Sequence, residues 1–314
     1  MEFLPVMIAL HLLAVETLAG MLLFLHVVVG PARLVVVEGA LDPGAGPEAW
    51  CRRVAWGCLA VMAVTMLGWL AGTAAVVSDS GHAMVFDPAV LTTLLRHTQF
   101  GLIWVLRLGV EVVLVLILWL RPSGRGLAED ALPWAGLLLL TIAMTGHAAA
   151  EDGSHHSFLL TAMVVHLAAT AAWVGSLPLL IRLLADAEAG ALSGNAAAVS
   201  LAREVVQRYA GYGGAAVALL LVSGGAAAWS FLGGRSPDLS SDYAHTLAVK
   251  AVLVASMLAV AGWNRLFLGR KLLGLGHPAR ILALLKRAAL SEYALACAII
   301  LMAVILSQAP PPAH

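Results

Sequence analysis

Long apolar runs recur along the whole chain and leave little freedom in what it can fold into. A helix needs roughly 20 predominantly apolar residues to cross a bilayer. Eight such runs are read, near 4–29, 54–77, 97–120, 131–150, 156–181, 209–232, 245–268 and 288–307. Composition agrees: of 314 residues 61% are hydrophobic and 11% charged, with a mean hydropathy of +0.93, against about 25% charged in soluble domains. The predicted fold is an all-α integral membrane protein, a polytopic bundle of about eight transmembrane helices embedded in a lipid bilayer. Residues 1–314 form one membrane domain, divisible into 1–185 with the first five spans and 200–308 with the last three. The N-terminal MEFLPVMIAL lacks a basic n-region and a clear cleavage site, so it is read as the start of a retained first span.

The connections are short. The longest are 30–53, 78–96 and 182–208, and the last holds an Ala-rich stretch, 195–209, with Arg203, Glu204 and Arg208, expected as a short interfacial helix. Basic residues set the expected orientation. Fourteen of the eighteen Lys and Arg fall in loops after spans one, three, five and seven, and two, Arg96 and Arg235, fall in the alternate loops. The positive-inside rule then places both termini outside and the 265–287 loop inside. A zero formal net charge argues against a nucleic-acid partner. Cys51, Cys58 and Cys297 form no CxxC pair and are read as small hydrophobic filler.

One stretch concentrates soft ligands. Residues 144–175 form two apolar segments around the turn Glu151-Asp152-Gly153-Ser154, and hold four of the eleven histidines: His147, His155, His156 and His166. At helical spacing His155, Met163, His166, Thr170 and Trp173 share one stripe, and Met144 lies one turn before His147. The turn is expected on the outer side, near His82 and His245. In span one, His11 lies at a depth comparable to His166, so the two can meet; His26 is fifteen residues further on, too far to share a metal with His11. Met62, Met66 and Trp69 are read as core packing.

Ionisable groups within spans are costly and face the bundle interior with a partner. Arg107 and Glu111 are four apart and can pair along one face. Lys250, Met257 and Asn264 recur at seven-residue steps and are expected to point inward, and Glu292 lies at the depth of Asn264 and Arg265.

The C-terminal third reads RYAGYGGAAVALLLVSGGAAAW, then DLSSDYAHTLAVKAVLVASMLAVAGWNRLFL, then LKRAALSEYALACAIILMAVILSQAPP. A span ending in Ser-Gly is followed by Tyr-x-x-x-Leu-x-x-Lys, by Asn-Arg at the inner end, and by Glu in the last span. This ordered set resembles the copper resistance protein D (CopD) family of bacterial inner-membrane proteins. The likeness extends to HTQFGLIWVLRL, GHAAAE and VHLAATAAWVGSLPLL and is weakest over 1–90. The resemblance implies copper handling, usually transport from periplasm toward cytoplasm, often beside a small periplasmic copper-binding protein. It carries over His147, His166, Trp173, Lys250, Asn264, Arg265 and Glu292.

Copper, expected as Cu(I), suits thioether and imidazole donors. The expected metal ligands are His147, His166, His155, Met144, Met163 and His11, arranged as an outer site at His147 and His155 and a deeper one at His166 with His11. Two other readings stay open: a b-type cytochrome gripping haem through histidine pairs, and a subunit that receives copper from a periplasmic carrier without transporting it. No nucleophile–base pair, phosphate loop or dinucleotide fingerprint appears, so no enzymatic activity is expected.

Overall fold

The computed structural model describes residues 3–36, 46–77, 87–121, 126–145, 154–231, 242–272 and 278–308. Among these, every regular element is a helix. The first span is α1 (Phe3–Phe24), which runs through a π-helical turn (Leu25–Val29) into α2 (Gly30–Val35). Next come α3 (Pro47–Val77), the short α4 (Pro88–His97), α5 (Gln99–Leu120) and α6 (Leu127–Ala143). A second π-helical turn (Ala171–Gly175) joins α7 (Ser154–Thr170) to α8 (Leu177–Ser193). Last are α9 (Ala196–Phe231), α10 (Asp242–Trp263), a third π-helical turn (Asn264–Leu268), α11 (Gly269–Leu272) and α12 (Pro278–Gln308).

Seven described stretches are long and apolar enough to cross a bilayer: Leu4–Val35, Pro47–Val76, Gln99–Leu120, Ser157–Ser193, Ala196–Ser230, Ala248–Leu272 and Pro278–Ile305. The protein is therefore a multi-pass membrane protein. The expected fourth span corresponds to α6, of which 17 residues are described; it packs in the bundle against α1, α5 and α7. One expectation is corrected. Residues 195–209 do not form a separate interfacial helix, because α9 begins at Ala196 and continues unbroken to Phe231. The break lies at Gly194, whose left-handed backbone (φ 80°) closes α8 at little steric cost. Asn195 then caps α9 by accepting from the Ala198 amide at 3.2 Å.

Local chemistry accounts for the other boundaries. Asp87 accepts from the Ala89 amide at 2.8 Å to start α4, and Thr98 accepts from the Gly101 amide at 3.1 Å to start α5. Gly126, also left-handed at φ 69°, precedes α6. At α8, Pro178 sits in the first turn, where its missing N–H leaves no bond unmade.

Around its middle, α1 is buried on every side: Ala14, Val15, Glu16, Thr17, Leu18, Ala19, Met21, Leu22 and Phe24 are all inside. It packs against α3, α6, α7, α8, α12 and the second π turn, which makes it the central helix. The closest approach is a backbone crossing. A Cβ at Gly20 would lie 1.8 Å from the Ala171 carbonyl oxygen, and one at Gly175 would lie 1.9 Å from the Glu16 carbonyl oxygen. Only glycine fits at either position, and in lipid such small-residue contacts carry much of helix association.

Gly20→Ala and Gly175→Ala are each expected to destabilise the protein by more than about 3 kcal/mol, the upper range for overpacked cores, because the obstacle is backbone. Gly57→Ala has open space around its Cβ and should leave stability unchanged or raised. Thermal unfolding in detergent, followed by size-exclusion chromatography, measures all three; equal midpoints for Gly20→Ala and Gly57→Ala would remove the crossing from the account.

Candidate functional site

The helical hairpin that concentrates the histidines is described in part. His147 lies outside the described residues, as do Glu151, Asp152 and Gly153, and so does His82. His155 belongs to the first turn of α7, and its side chain, with those of His156 and His245, also lies outside them. Met144 ends α6, and its backbone carbonyl accepts from the Gln99 side-chain amide at 3.4 Å. Met163 is half-buried against the core.

Two histidines within the spans are held by the same device. His11 is buried, and its Nδ1 lies 3.1 Å from the Thr65 hydroxyl. That hydroxyl donates its own hydrogen to the Val61 carbonyl at 2.8 Å and the Met62 carbonyl at 3.1 Å. With that hydrogen engaged, the arrangement favours His11 Nδ1–H as donor and Thr65 as acceptor. His11 Nε2 is buried with no partner among the described residues. His166 repeats the pattern. Its Nδ1 lies 3.3 Å from the Ser223 hydroxyl, which donates to the Leu219 carbonyl at 2.6 Å. Gly224 makes room for the ring, since a Cβ there would stand 3.1 Å from His166 Cε1. Donation of one ring N–H to an oxygen is what orients metal-ligating imidazoles and fixes their tautomer.

The two rings face different neighbours. His11 points to α3, where it also meets Trp69 edge-on with centroids 5.8 Å apart. His166 points to α9, and Lys250 of α10 bears on it electrostatically. Two methionines lie on adjacent turns: Met62 is fully buried one turn before Thr65, and Met7, one turn before His11, lies against Gly68 with Cγ and Sδ 3.0 Å from where a Cβ would be. Among the described residues, no three or more His, Cys, Asp and Glu side chains group closely enough to hold a metal.

Arg107 faces inward as expected and is buried to 1% exposure. Its guanidinium donates to the Thr141 hydroxyl at 3.0 Å, the Thr141 carbonyl at 2.8 Å and the Thr145 hydroxyl at 2.8 Å, and stacks 4.9 Å above Trp69. Glu111 is also buried, but no ion pair joins it to Arg107 among the described residues. It lines a groove of about 240 Å³ between α3 and α5 with Leu59, Ala63 and Val115. The hydroxyl partners on α6 give this arginine its place.

A second polar cluster surrounds the glycine crossing. Asn264, first residue of the third π turn, donates to Glu292, and the Trp173 indole bonds the same carboxylate. Arg265 lies along α9, its Nη1 2.1 Å from where a Cβ on Gly214 would be, so glycine there lets the guanidinium rest against the helix. Lys250 is half-buried, and Met257, on the same stripe, is fully inside. Thr17 and Tyr293 hydroxyls meet at 3.5 Å, as do Ser176 and Tyr209, whose ring packs on Phe24. Glu16, next to Thr17, is buried. Sequence reasoning gave Glu16, Thr65, Ser223, Thr141 and Tyr209 no role. The available signal was a hydroxyl or carboxylate within each apolar run, at a depth shared with a histidine or arginine.

Two family models match the chain: the copper resistance protein D-like N-terminal domain over residues 2–157, and copper resistance protein D over residues 203–306. The copper transport protein CutJ of Bacillus subtilis (strain 168) is 26% identical over 266 residues, which are 83% of this chain and 46% of CutJ. The inner membrane protein YebZ of Escherichia coli (strain K12) is 29% identical over 189 residues, 59% of this chain and 60% of YebZ. The chain thus spans roughly half the length of these relatives. No solved structure matches it.

Arg107→Ala removes a buried cation and its bonds to Thr141 and Thr145. A loss of about 3 kcal/mol is expected, as for hydrogen bonds to charged groups, with Thr141→Val costing less. Unchanged thermal unfolding and detergent extraction of Arg107→Ala would show the network to be dispensable.

Proposed function

This chain belongs to the copper resistance protein D family, and from that premise we propose that it carries copper, as Cu(I), across the bacterial inner membrane from the outer side toward the cytoplasm. The observation that supports this best is the buried His11, whose Nδ1 meets the Thr65 hydroxyl and whose Nε2 has no partner among the described residues, with Met7 one turn before it and Met62 one turn before Thr65. A neutral imidazole with sulfur neighbours suits Cu(I) and does not suit magnesium or calcium, which take oxygen ligands. His166 with Met163 makes a second inner station facing α9. His147 and His155, with Met144, form the outer station that receives the ion from a small periplasmic copper-binding protein. Several stations of modest affinity let an ion be handed onward, which one tight site would prevent. The role is transport and not enzymatic turnover.

The orientation rests on the distribution of basic residues, and the direction on the family resemblance. On the proposed inner side, Lys286 of α12 bonds Glu188 of α8 at 2.5 Å, and Arg182 pairs with Asp186 at 2.8 Å. Both termini and the 146–153 turn then face outward. A cysteine at 154 should be labelled by an impermeant reagent in intact cells and one at 274 should not. The reverse pattern inverts the orientation.

Copper per folded protein should fall by one equivalent in His11→Ala, with loss of nitrogen scattering in the copper X-ray absorption spectrum. Thr65→Val and Ser223→Ala should each weaken copper binding about 10–100-fold, the usual effect of removing an outer-shell partner. Uptake of Cu(I) into sealed vesicles separates transport from a purely receiving role. Full copper occupancy in a folded His11→Ala protein and in a folded His147→Ala/His166→Ala protein overturns the ligand assignment.

A further inference from the structure

Among the described residues, one carboxylate at the centre of the bundle has no cation beside it. Glu16 is 1% exposed, and its Oε2 has no hydrogen-bond partner among the described residues. It takes part in no ion pair there. Its backbone is fixed by the crossing, because its own carbonyl is the atom that Gly175 abuts. The titratable groups facing it are Tyr293 and Cys297 of α12, with Cys58 of α3 beyond Tyr293. None of these is a cation. From the second π turn the crossing presents only Gly175 and the Ala171 backbone.

The other buried carboxylates differ. Glu292 is bonded by Asn264 and Trp173. Glu111 lies one turn from the Arg107 guanidinium, which bears on it, and borders a groove between α3 and α5. Among the described residues, Glu16 alone combines full burial, an unpartnered oxygen and no basic neighbour.

An ionised carboxylate inside a membrane bundle is strongly disfavoured unless a cation or several donors offset it. Among the described residues Glu16 has neither, which favours the protonated form in the resting protein. A cuprous ion arriving in the same bundle changes that balance. His11 precedes Glu16 by five residues, about 7.5 Å along the helix axis at 1.5 Å per residue. That is close enough for a unit charge in a weakly screening interior to favour the carboxylate. The Thr17 and Tyr293 hydroxyls, 3.5 Å apart, provide exchangeable hydrogens beside it.

We propose that Glu16 is the proton-carrying residue of a copper–proton exchange, in which one Cu(I) moves inward as one proton leaves Glu16 in the opposite direction. This rests on the copper-transport reading above. The Glu16 O–H bond breaks, the proton passes to water on the outer side, and the carboxylate charge offsets the single charge of Cu(I). When the ion departs inward, Glu16 takes a new proton from water on the inner side, which completes the exchange. No electron is transferred.

The test uses the full chain in liposomes with a trapped pH-sensitive dye, potassium and valinomycin to clamp the potential, and external copper kept as Cu(I) by ascorbate. Copper uptake and lumenal pH are read together. The wild-type protein should alkalinise the lumen by about one proton per copper taken up, the ratio that balances unit charges. Glu16→Gln, which cannot release a proton, should move copper with at least tenfold less proton movement per ion, and Glu111→Gln should keep the wild-type ratio. Copper uptake without proton movement in the wild type, or an unchanged ratio in Glu16→Gln, overturns this inference and leaves copper transport standing. No copper uptake by the wild type overturns both.

A second readout is independent of transport. The infrared spectrum of the purified protein should show the C=O stretch of a protonated carboxylic acid that Glu16→Gln lacks, and its absence in the wild type overturns the inference. If Glu16→Gln does not fold, Glu16→Asp takes its place: it keeps a carboxyl group and should shift that band while retaining coupled proton movement. A folded Glu16→Asp protein whose band stays where the wild type has it overturns the assignment.

Discussion

The contact between Gly20 on the first helix and Gly175 at the end of the second π turn governs how the other helices can sit. Two backbones there approach to distances that a methyl group would close, with the Ala171 and Glu16 carbonyls as the obstructing atoms. Lipid tails are as apolar as leucine, so helices in a bilayer gain little from hiding apolar surface and associate by close packing and polar contact. Small residues at one crossing let α1 sink into the bundle until its middle is enclosed on every side. Its polar residues, His11, Glu16 and Thr17, are then forced to find partners on α3 and α12 or to go without. His11 finds Thr65, Thr17 finds Tyr293, and one oxygen of Glu16 goes without among the described residues.

The π turns extend this constraint into the polar cluster. An extra residue in a helical turn rotates the remainder of the helix and re-aims its side chains, and such turns gather at functional sites. The turn at Ala171–Gly175 contains Trp173, and the turn at Asn264–Leu268 begins with Asn264, so the two donors to Glu292 both come from irregular helix. The first of the π turns, Leu25–Val29, continues α1 beyond Phe24, against which Tyr209 and Tyr212 pack. Regular helix would hold these residues at a fixed rotation to their neighbours. The departures at Ala171–Gly175 and Asn264–Leu268 each bring one donor, Trp173 and Asn264, to the Glu292 carboxylate.

The spans were legible because the bilayer imposes length and apolarity on any sequence that crosses it. Arg107 and Glu111 were readable as inward-facing for the same reason, and both are buried. Their partners were not readable, because Thr141 and Thr145 resemble every other hydroxyl in an apolar run until α5 and α6 are packed together. The central place of α1 was also hidden. A helix enclosed on all sides has no polar face, so its pattern carries no sign of rotation or rank. The 195–209 stretch misled through composition: its charges, Arg203, Glu204 and Arg208, suggested a surface helix, yet Glu204 and Arg208 pair with each other at 2.7 Å along one continuous helix. Conversely, the Ser-Gly that ends the span in the family-like segment gained a physical reason. Ser223 receives the His166 N–H and Gly224 leaves space for the ring.

His11 and His166 share a device and differ in direction, and that difference constrains any path between them. Each ring nitrogen Nδ1 meets a hydroxyl that also reaches a carbonyl one turn back, an arrangement that favours the proton on Nδ1, and His11 Nε2 is buried with no partner among the described residues. His11 is anchored on α3 and His166 on α9, while the glycine crossing joins the helix of one to the continuation of the helix of the other. A rigid crossing keeps the two anchors in register, since neither helix can slide without driving backbone into backbone. An ion passed between such sites, on the proposed reading, changes ligands without large rearrangement of the scaffold. The motion is left to the side chains that are not so held, the thioethers of Met7 and Met163, whose unbranched stems reach several positions at little cost.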